Sequence, residues 1–260
     1  MPAADIAYAR TGSGQPLVLV HGITESRHSW DPLIPSLAER FDVVAVDLRG
    51  HGESAKVPPF DVGTLAEDLA ELTAALGLER PHLIGHSLGG VVVTAMAAAV
   101  EPADVINVDQ PLELHGFHDG LAPAAPIIRG TPEEFDGFIG NLLTTLQGPL
   151  PAAEQARLRA LGRPDQEVVN GIWQLVIDGP VAELDAFADA MLAGVSVPYL
   201  SLHGMDPGPE YVEWLTARCP TATVEVWPDH SHYPHLADPE RFLARVAEFT
   251  GHSRTSATPD

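Results

Sequence analysis

The sequence predicts an α/β protein: a mostly parallel, doubly wound sheet carrying an inserted helical lid. Three observations lead there. Short apolar runs that end in glycine or aspartate alternate with longer segments of helical period. Most of these runs are apolar at successive positions, as in a sheet covered by helices on both faces. The alternation then stops between residues 112 and 194, where only helical patterns occur.

Ile6 to Arg10 offers a first, antiparallel strand before the Gly12-Ser13-Gly14 turn. Leu17 to Val20 is the first long apolar run and ends at His21-Gly22. Val43 to Val46 ends at Asp47, His82 to Ile84 at Gly85, and Val105 to Val108 at Asp109. Pro198 to Leu202 leads into His203-Gly204, and Val224 to Trp227 is the last run. Between them, Thr64 to Leu76 repeats leucine at three- and four-residue spacing, which predicts an amphipathic helix. Leu88 to Val100 is small and apolar all round, as a buried helix is. Pro239 to Phe249 places Phe242, Leu243, Val246 and Phe249 on one stripe. Four helices are expected in the interruption, over Pro132–Gln147, Pro151–Leu161, Pro164–Asp178 and Pro180–Leu192. Each starts at a proline, suited to the first helical position, with a glutamate in its first turn. Residues 1–111 and 195–251 therefore form a core, 112–194 a lid, and 252–260 a polar, flexible tail.

Composition narrows the function. The chain has 260 residues and enough apolar side chains, 45%, for a substantial core. Its 36 acidic residues against 14 Lys plus Arg give a formal charge of −22. That charge repels phosphate backbones and anionic lipid, so neither nucleic acid nor a membrane surface is an expected partner. The single cysteine, Cys219, excludes an intrachain disulfide and a cysteine zinc cluster, and is expected to pack beside a late helix. The first residues lack the basic and apolar regions of a signal peptide, and no apolar stretch is long enough to span a bilayer. A cytoplasmic location is expected; oligomeric state is left open.

Gly85-His86-Ser87-Leu88-Gly89-Gly90 follows one predicted strand and opens one predicted helix, the context that gives G-x-S-x-G its meaning. A tight strand-to-helix turn presents the Ser87 hydroxyl and aims free helix N–H groups, Leu88 among them, at one point. A serine needs a base, and three histidines, His230, His232 and His235, crowd the loop after the last strand. They also raise the alternative of a metal site, which no further carboxylate pattern beyond Asp229 supports.

Leu17–Gly22, Trp30, Asp47–Ser54, Gly85–Gly90, His203–Asp206 and Ser231–Leu236, in that order, resemble the α/β-hydrolase fold family of the serine-nucleophile type with a helical lid. The resemblance covers nearly the whole chain outside the lid. It implies Ser87 as nucleophile and His232 as base, since His232 precedes an aromatic, a proline and His-Leu. His235 is expected to hydrogen-bond within the loop. The resemblance implies an acid after the penultimate strand, in a Gly-x-x-Asp pattern. Here Gly204-Met205-Asp206 is one residue shorter; Asp206 is the expected acid and Asp109 the alternative. Backbone N–H groups of Ile23 and Leu88 are the implied oxyanion donors. His21, His51 and His86 are expected to be structural. Trp30, His115, Phe138 and Trp173 are candidate pocket residues.

The activity these residues imply is hydrolysis of an ester, thioester or lactone of a small to medium, partly apolar substrate, with no cofactor and no metal. Carbon–carbon bond hydrolases and cofactor-free haloperoxidase-like perhydrolases resemble the sequence equally well, and a non-catalytic ligand-binding protein of this fold is the third reading. Dehalogenases and epoxide hydrolases of the family attack with a carboxylate, whereas this elbow carries Ser87. A strongly anionic substrate would need arginines such as Arg27 or Arg129 in the cleft.

Overall fold

The computed structural model of the chain describes residues 5–252. Seven strands form one sheet: β1 (Tyr8–Gly12), β2 (Gln15–Val20), β3 (Phe41–Val46), β4 (His82–His86), β5 (Asp104–Val108), β6 (Tyr199–His203) and β7 (Ala222–Val226). The order is β1-β3-β2-β4-β5-β6-β7; β1 pairs antiparallel with β3 and every other pair is parallel. The described helices are α1 (Ile34–Leu37), α2 (Val62–Ala75), α3 (Leu88–Val100), α4 (His115–Leu121), α5 (Ala125–Ile128), α6 (Pro132–Gln147), α7 (Ala152–Leu161), α8 (Gln166–Asp178), α9 (Val181–Ala193), α10 (Pro209–Arg218), α11 (Pro234–Ala237) and α12 (Pro239–His252). The expected tail lies outside the described residues, except that His252 closes α12.

Alternation along the strands divides the interior in two. Val18 and Val20 of β2 belong to a core with Leu65 and Leu69 of α2 and Val92 and Met96 of α3. Leu17 and Leu19 join Leu37, Phe242 and Val246 on the opposite face. Six helices, α4 to α9, separate β5 from β6. Phe135, Ile139, Val168, Ile172 and Trp173 from this insertion extend the first core.

Two sequence expectations change in detail. Pro132 does occupy the first turn of α6, behind a Thr131–Glu134 capping box. Pro151 and Pro180 instead sit at the N-cap positions of α7 and α9, and Asp165 caps α8, so Pro164 lies one residue earlier still. Their extended backbone suits the cap, where φ is already fixed by the ring. Helix α10 follows β6 without a predicted counterpart, because mixed polar residues weaken its apolar stripe; Tyr211 and Leu215 alone are buried. Cys219 ends α10, fully buried.

The topology also fixes where a site can form. The chain runs from β2 to β3 on one side, then crosses to β4 on the other side of β2. Such a reversal opens a crevice at the carboxyl ends of β2 and β4, which here are His21-Gly22 and His86-Ser87.

Candidate active site

Ser87 stands between β4 and α3 with φ 51 and ψ −121, a left-handed backbone held for a non-glycine residue. Its N–H bonds to Val108 O at 2.9 Å, and its carbonyl accepts from Gly90 N at 2.7 Å. Glycines make the turn possible. A β-carbon at Gly85 would lie 2.1 Å from Gly89 O, and one at Gly89 would lie 2.2 Å from Val20 O. Leu88 opens α3, whose first N–H groups have no partner within the helix.

His232 lies in the loop after β7. Its Nδ1 is 2.6 Å from Asp109 Oδ2. An ionised carboxylate only accepts, so Nδ1 carries the proton in this bond. Asp109 leaves β5 with φ 55, and its other oxygen accepts from Gly204 N at 2.6 Å and Met205 N at 3.0 Å. Burial alone would raise this carboxyl. The His232 ring, the Met205 N–H and nearby His203 outweigh burial and hold it below its ordinary value. His203, buried beneath, is pushed down to about 4 by burial and bonds Ser201 Oγ at 2.7 Å.

The expectation that Asp206 pairs with the histidine is corrected by this geometry. Asp206 is exposed, and its Oδ1 accepts from Gly208 N at 2.8 Å, closing a turn of its own. The loop after β6 reaches the site through backbone N–H groups that grip Asp109, the alternative acid.

Ser87, His232, Asp109, Ile23 and Leu88 all line one cavity of about 1290 Å³. Its walls are Ile139, Leu142, Leu146, Ile172, Trp173 and Phe187 from the helical insertion, with His115 at the edge. His115 bridges Glu113 and Asp185, at 2.8 Å and 3.0 Å. Two expected pocket residues lie elsewhere. Trp30 is fully buried in the second core, its ring 4.8 Å from the His235 ring. Phe138 is half-buried and packs against the first core, one position off the face that Ile139 and Leu142 turn to the cavity. His235 also departs from expectation: its ring packs against those of Trp30 and His86, and among the described residues its Nδ1 has no hydrogen-bond partner.

The three histidines expected to be structural bind loop backbone. His21 Nε2 accepts from Leu48 N at 3.0 Å, His51 Nδ1 donates to Arg49 O at 3.1 Å, and His86 Nε2 donates to His232 O at 2.9 Å. Arg27 is paired with Asp47 and Glu53, and Arg129 with Asp178; among the described residues no lysine or arginine lines the cavity. Sequence reasoning missed Glu25, a buried carboxylate in the cavity wall, and used Tyr233 only as a marker of the loop. The signal for Glu25 was an acidic residue just past the His-Gly loop, where a charge has to find partners.

A sequence profile described as alpha/beta hydrolase fold matches residues 15–195. A soluble epoxide hydrolase of Corynebacterium sp. (strain C12) is 49% identical over 86 residues, a match that spans 33% of this chain and 30% of that enzyme. A non-heme haloperoxidase of Rhodococcus erythropolis is 29% identical over 253 residues, covering 88% of this chain and 89% of the relative. The solved structure of a thermophilic esterase from Thermogutta terrifontis superposes with a TM-score of 0.66 at 29% identity, over 97% of this chain and 95% of that one. The profile spans most of the chain and the sheet has the order described above: the protein belongs to the α/β-hydrolase fold family.

Proposed function

We propose that the protein is a serine hydrolase that cleaves an ester, thioester or lactone, with Ser87 as nucleophile, His232 as base and Asp109 as acid. The observation that carries this reading is the His232–Asp109 bond of 2.6 Å beside a strained Ser87 in one apolar-walled cavity. His232 Nε2 takes the Ser87 proton as Oγ attacks the acyl carbon. The oxyanion forms against the N–H groups of Ile23 and Leu88, worth several kcal/mol for a pair of such donors. The imidazolium, steadied by Asp109, returns its proton to the departing alcohol or thiol. Water, deprotonated by the same nitrogen, then hydrolyses the acyl-enzyme.

The helical insertion, residues 112–194, acts as the lid and sets specificity through its apolar wall. The similarity to an epoxide hydrolase covers a third of the chain and does not change the elbow residue, a serine. The haloperoxidase similarity covers most of the chain and supports a second reading on the same residues, in which hydrogen peroxide replaces water as acyl acceptor.

The test is a fluorophosphonate label and a panel of p-nitrophenyl esters of increasing chain length. Wild type labels at Ser87 and turns over the shorter esters, and Ser87→Ala does neither. A native protein that neither labels nor turns over any ester would overturn the reading.

A further inference from the structure

Three loops meet at the site: the oxyanion loop after β2, the elbow after β4 and the base loop after β7. They are tied together beneath the reacting atoms by a polar network that the mechanism above does not use. Glu25, on the oxyanion loop, is 8% exposed. Its Oε1 accepts from the Tyr233 hydroxyl at 2.8 Å, and its Oε2 accepts from Gly22 N at 3.3 Å. The same Oε2 lies 3.8 Å from His86 Nδ1. His86 in turn donates through Nε2 to the carbonyl of His232, and its ring packs 4.7 Å from the His232 ring and 4.7 Å from Tyr233.

We infer that Glu25, Tyr233 and His86 are positioning residues that fix the base His232 and the oxyanion loop relative to Ser87. The inference rests on the serine hydrolase reading above. The network spans residues 22 to 233 and includes the neighbours of all three implied catalytic groups: Gly22 beside Ile23, His86 beside Ser87, and Tyr233 beside His232. A buried carboxylate costs stability unless its partners are in place. Burial would raise Glu25; the His86 and His21 rings and the Tyr233 hydroxyl outweigh it and keep the group charged. The Tyr233 phenol is held well above its usual range by burial and by Glu25, so it stays protonated and donates. Glu25 accepts from Tyr233 and Gly22, and its Oε2 faces the buried His86 Nδ1, which has no hydrogen-bond partner among the described residues, so removing the Glu25 charge loosens both ends at once.

The experiment uses Glu25→Gln, Tyr233→Phe and the double variant, assayed on p-nitrophenyl acetate with active sites counted by fluorophosphonate titration. Turnover per titrated site is expected to fall about ten- to a hundredfold in each single variant with KM little changed, because a small displacement of a base is costly. The double variant should lose little more than the worse single, since both changes break one network. A second readout needs no turnover: the downfield proton resonance of the His232 Nδ1–H···Asp109 bond should shift or broaden in both singles. Unchanged turnover per site with an unchanged resonance, or losses that multiply in the double variant, overturns the inference. Should Glu25→Gln fail to fold, Tyr233→Phe, which keeps the ring and its packing, decides alone. A wild type that shows the resonance but takes no label and no ester would instead count against the hydrolase reading.

Discussion

At the scale of single residues, the acid position gives the sharpest contrast. Asp109 and Asp206 both line the cavity, yet only Asp109 meets the His232 ring, while Asp206 closes its own turn. Asp109→Asn is expected to lower kcat by roughly 10³–10⁴-fold, since an amide favours the wrong tautomer of the base. Asp206→Asn should stay within about threefold of wild type, as exposed substitutions usually do. Steady-state rates of the two variants side by side check this; a large loss in the second with none in the first would reverse the assignment. Asp109 also carries a pH signature. Its folded value is depressed, so its stabilisation is present above the ordinary 3.8 and is lost only as pH falls through the lower folded value.

Among the elements, the loop that carries His232 is held from two sides. Ser231 donates to Leu146 O at 2.9 Å, at the end of α6, and its carbonyl presses on Gly204 after β6. A β-carbon at Gly204 would lie 2.0 Å from Ser231 O, and Gly204 N also holds Asp109. Gly204→Ala should therefore displace both the His232 loop and Asp109. Loss of most turnover is expected, with a drop in stability of about 2 kcal/mol, in the range of strained backbone changes. By contrast, the capping box at Thr131 is far along α6 from that contact. Thr131→Ala should cost about 1 kcal/mol in a denaturant titration and leave kcat within about twofold of wild type. A variant that lost turnover without losing stability would show that the start of α6 matters to the site directly.

For the molecule as a whole, buried histidines set the response to acid. His21, His51, His203 and His235 are all held below the ordinary 6.5 by burial, His51 to about 3 and His203 to about 4. The unfolded chain takes up these protons below 6.5 and the folded chain does not, so stability falls as pH drops from there. Glu25 and Asp109, both depressed, add to the loss at lower pH. The urea midpoint should be lower at pH 5 than at pH 7; an equal or higher midpoint at pH 5 would contradict the burial of these rings in their neutral form. Charge acts at the same scale. With −22 formal charges and, among the described residues, no lysine or arginine in the cavity lining, an ester bearing a carboxylate should show a lower kcat/KM than its neutral isostere at low salt. The gap should narrow by about 0.5 M salt, where the field is screened within a few ångströms. A gap that does not respond to salt would point to contacts at the site instead of the overall field.

The sequence by itself determined what is encoded locally. Apolar runs and helical stripes marked six of the seven strands and the helices with strong periodicity; β1, offered over Ile6–Arg10, lies two residues later at Tyr8–Gly12 and is exposed throughout. Gly85-His86-Ser87-Leu88-Gly89 carries its own strained turn, and the motif around His232 is equally short-range. The weakly patterned α10 was illegible, since two buried residues in ten leave no stripe. Tertiary structure decided everything that depends on which strands are neighbours. Asp109 reaches His232 because β5, β6 and β7 lie side by side, which brings residues 109, 204 and 232 to one edge. Trp30 went to the core because the 3-10 turn at Arg27–Trp30 packs against the far face of the sheet, beneath His235. Glu25 found partners 61 and 208 positions away in His86 and Tyr233. A local pattern can specify a turn that strains one serine. Pairing a carboxylate with a ring more than a hundred residues away requires the sheet that holds both.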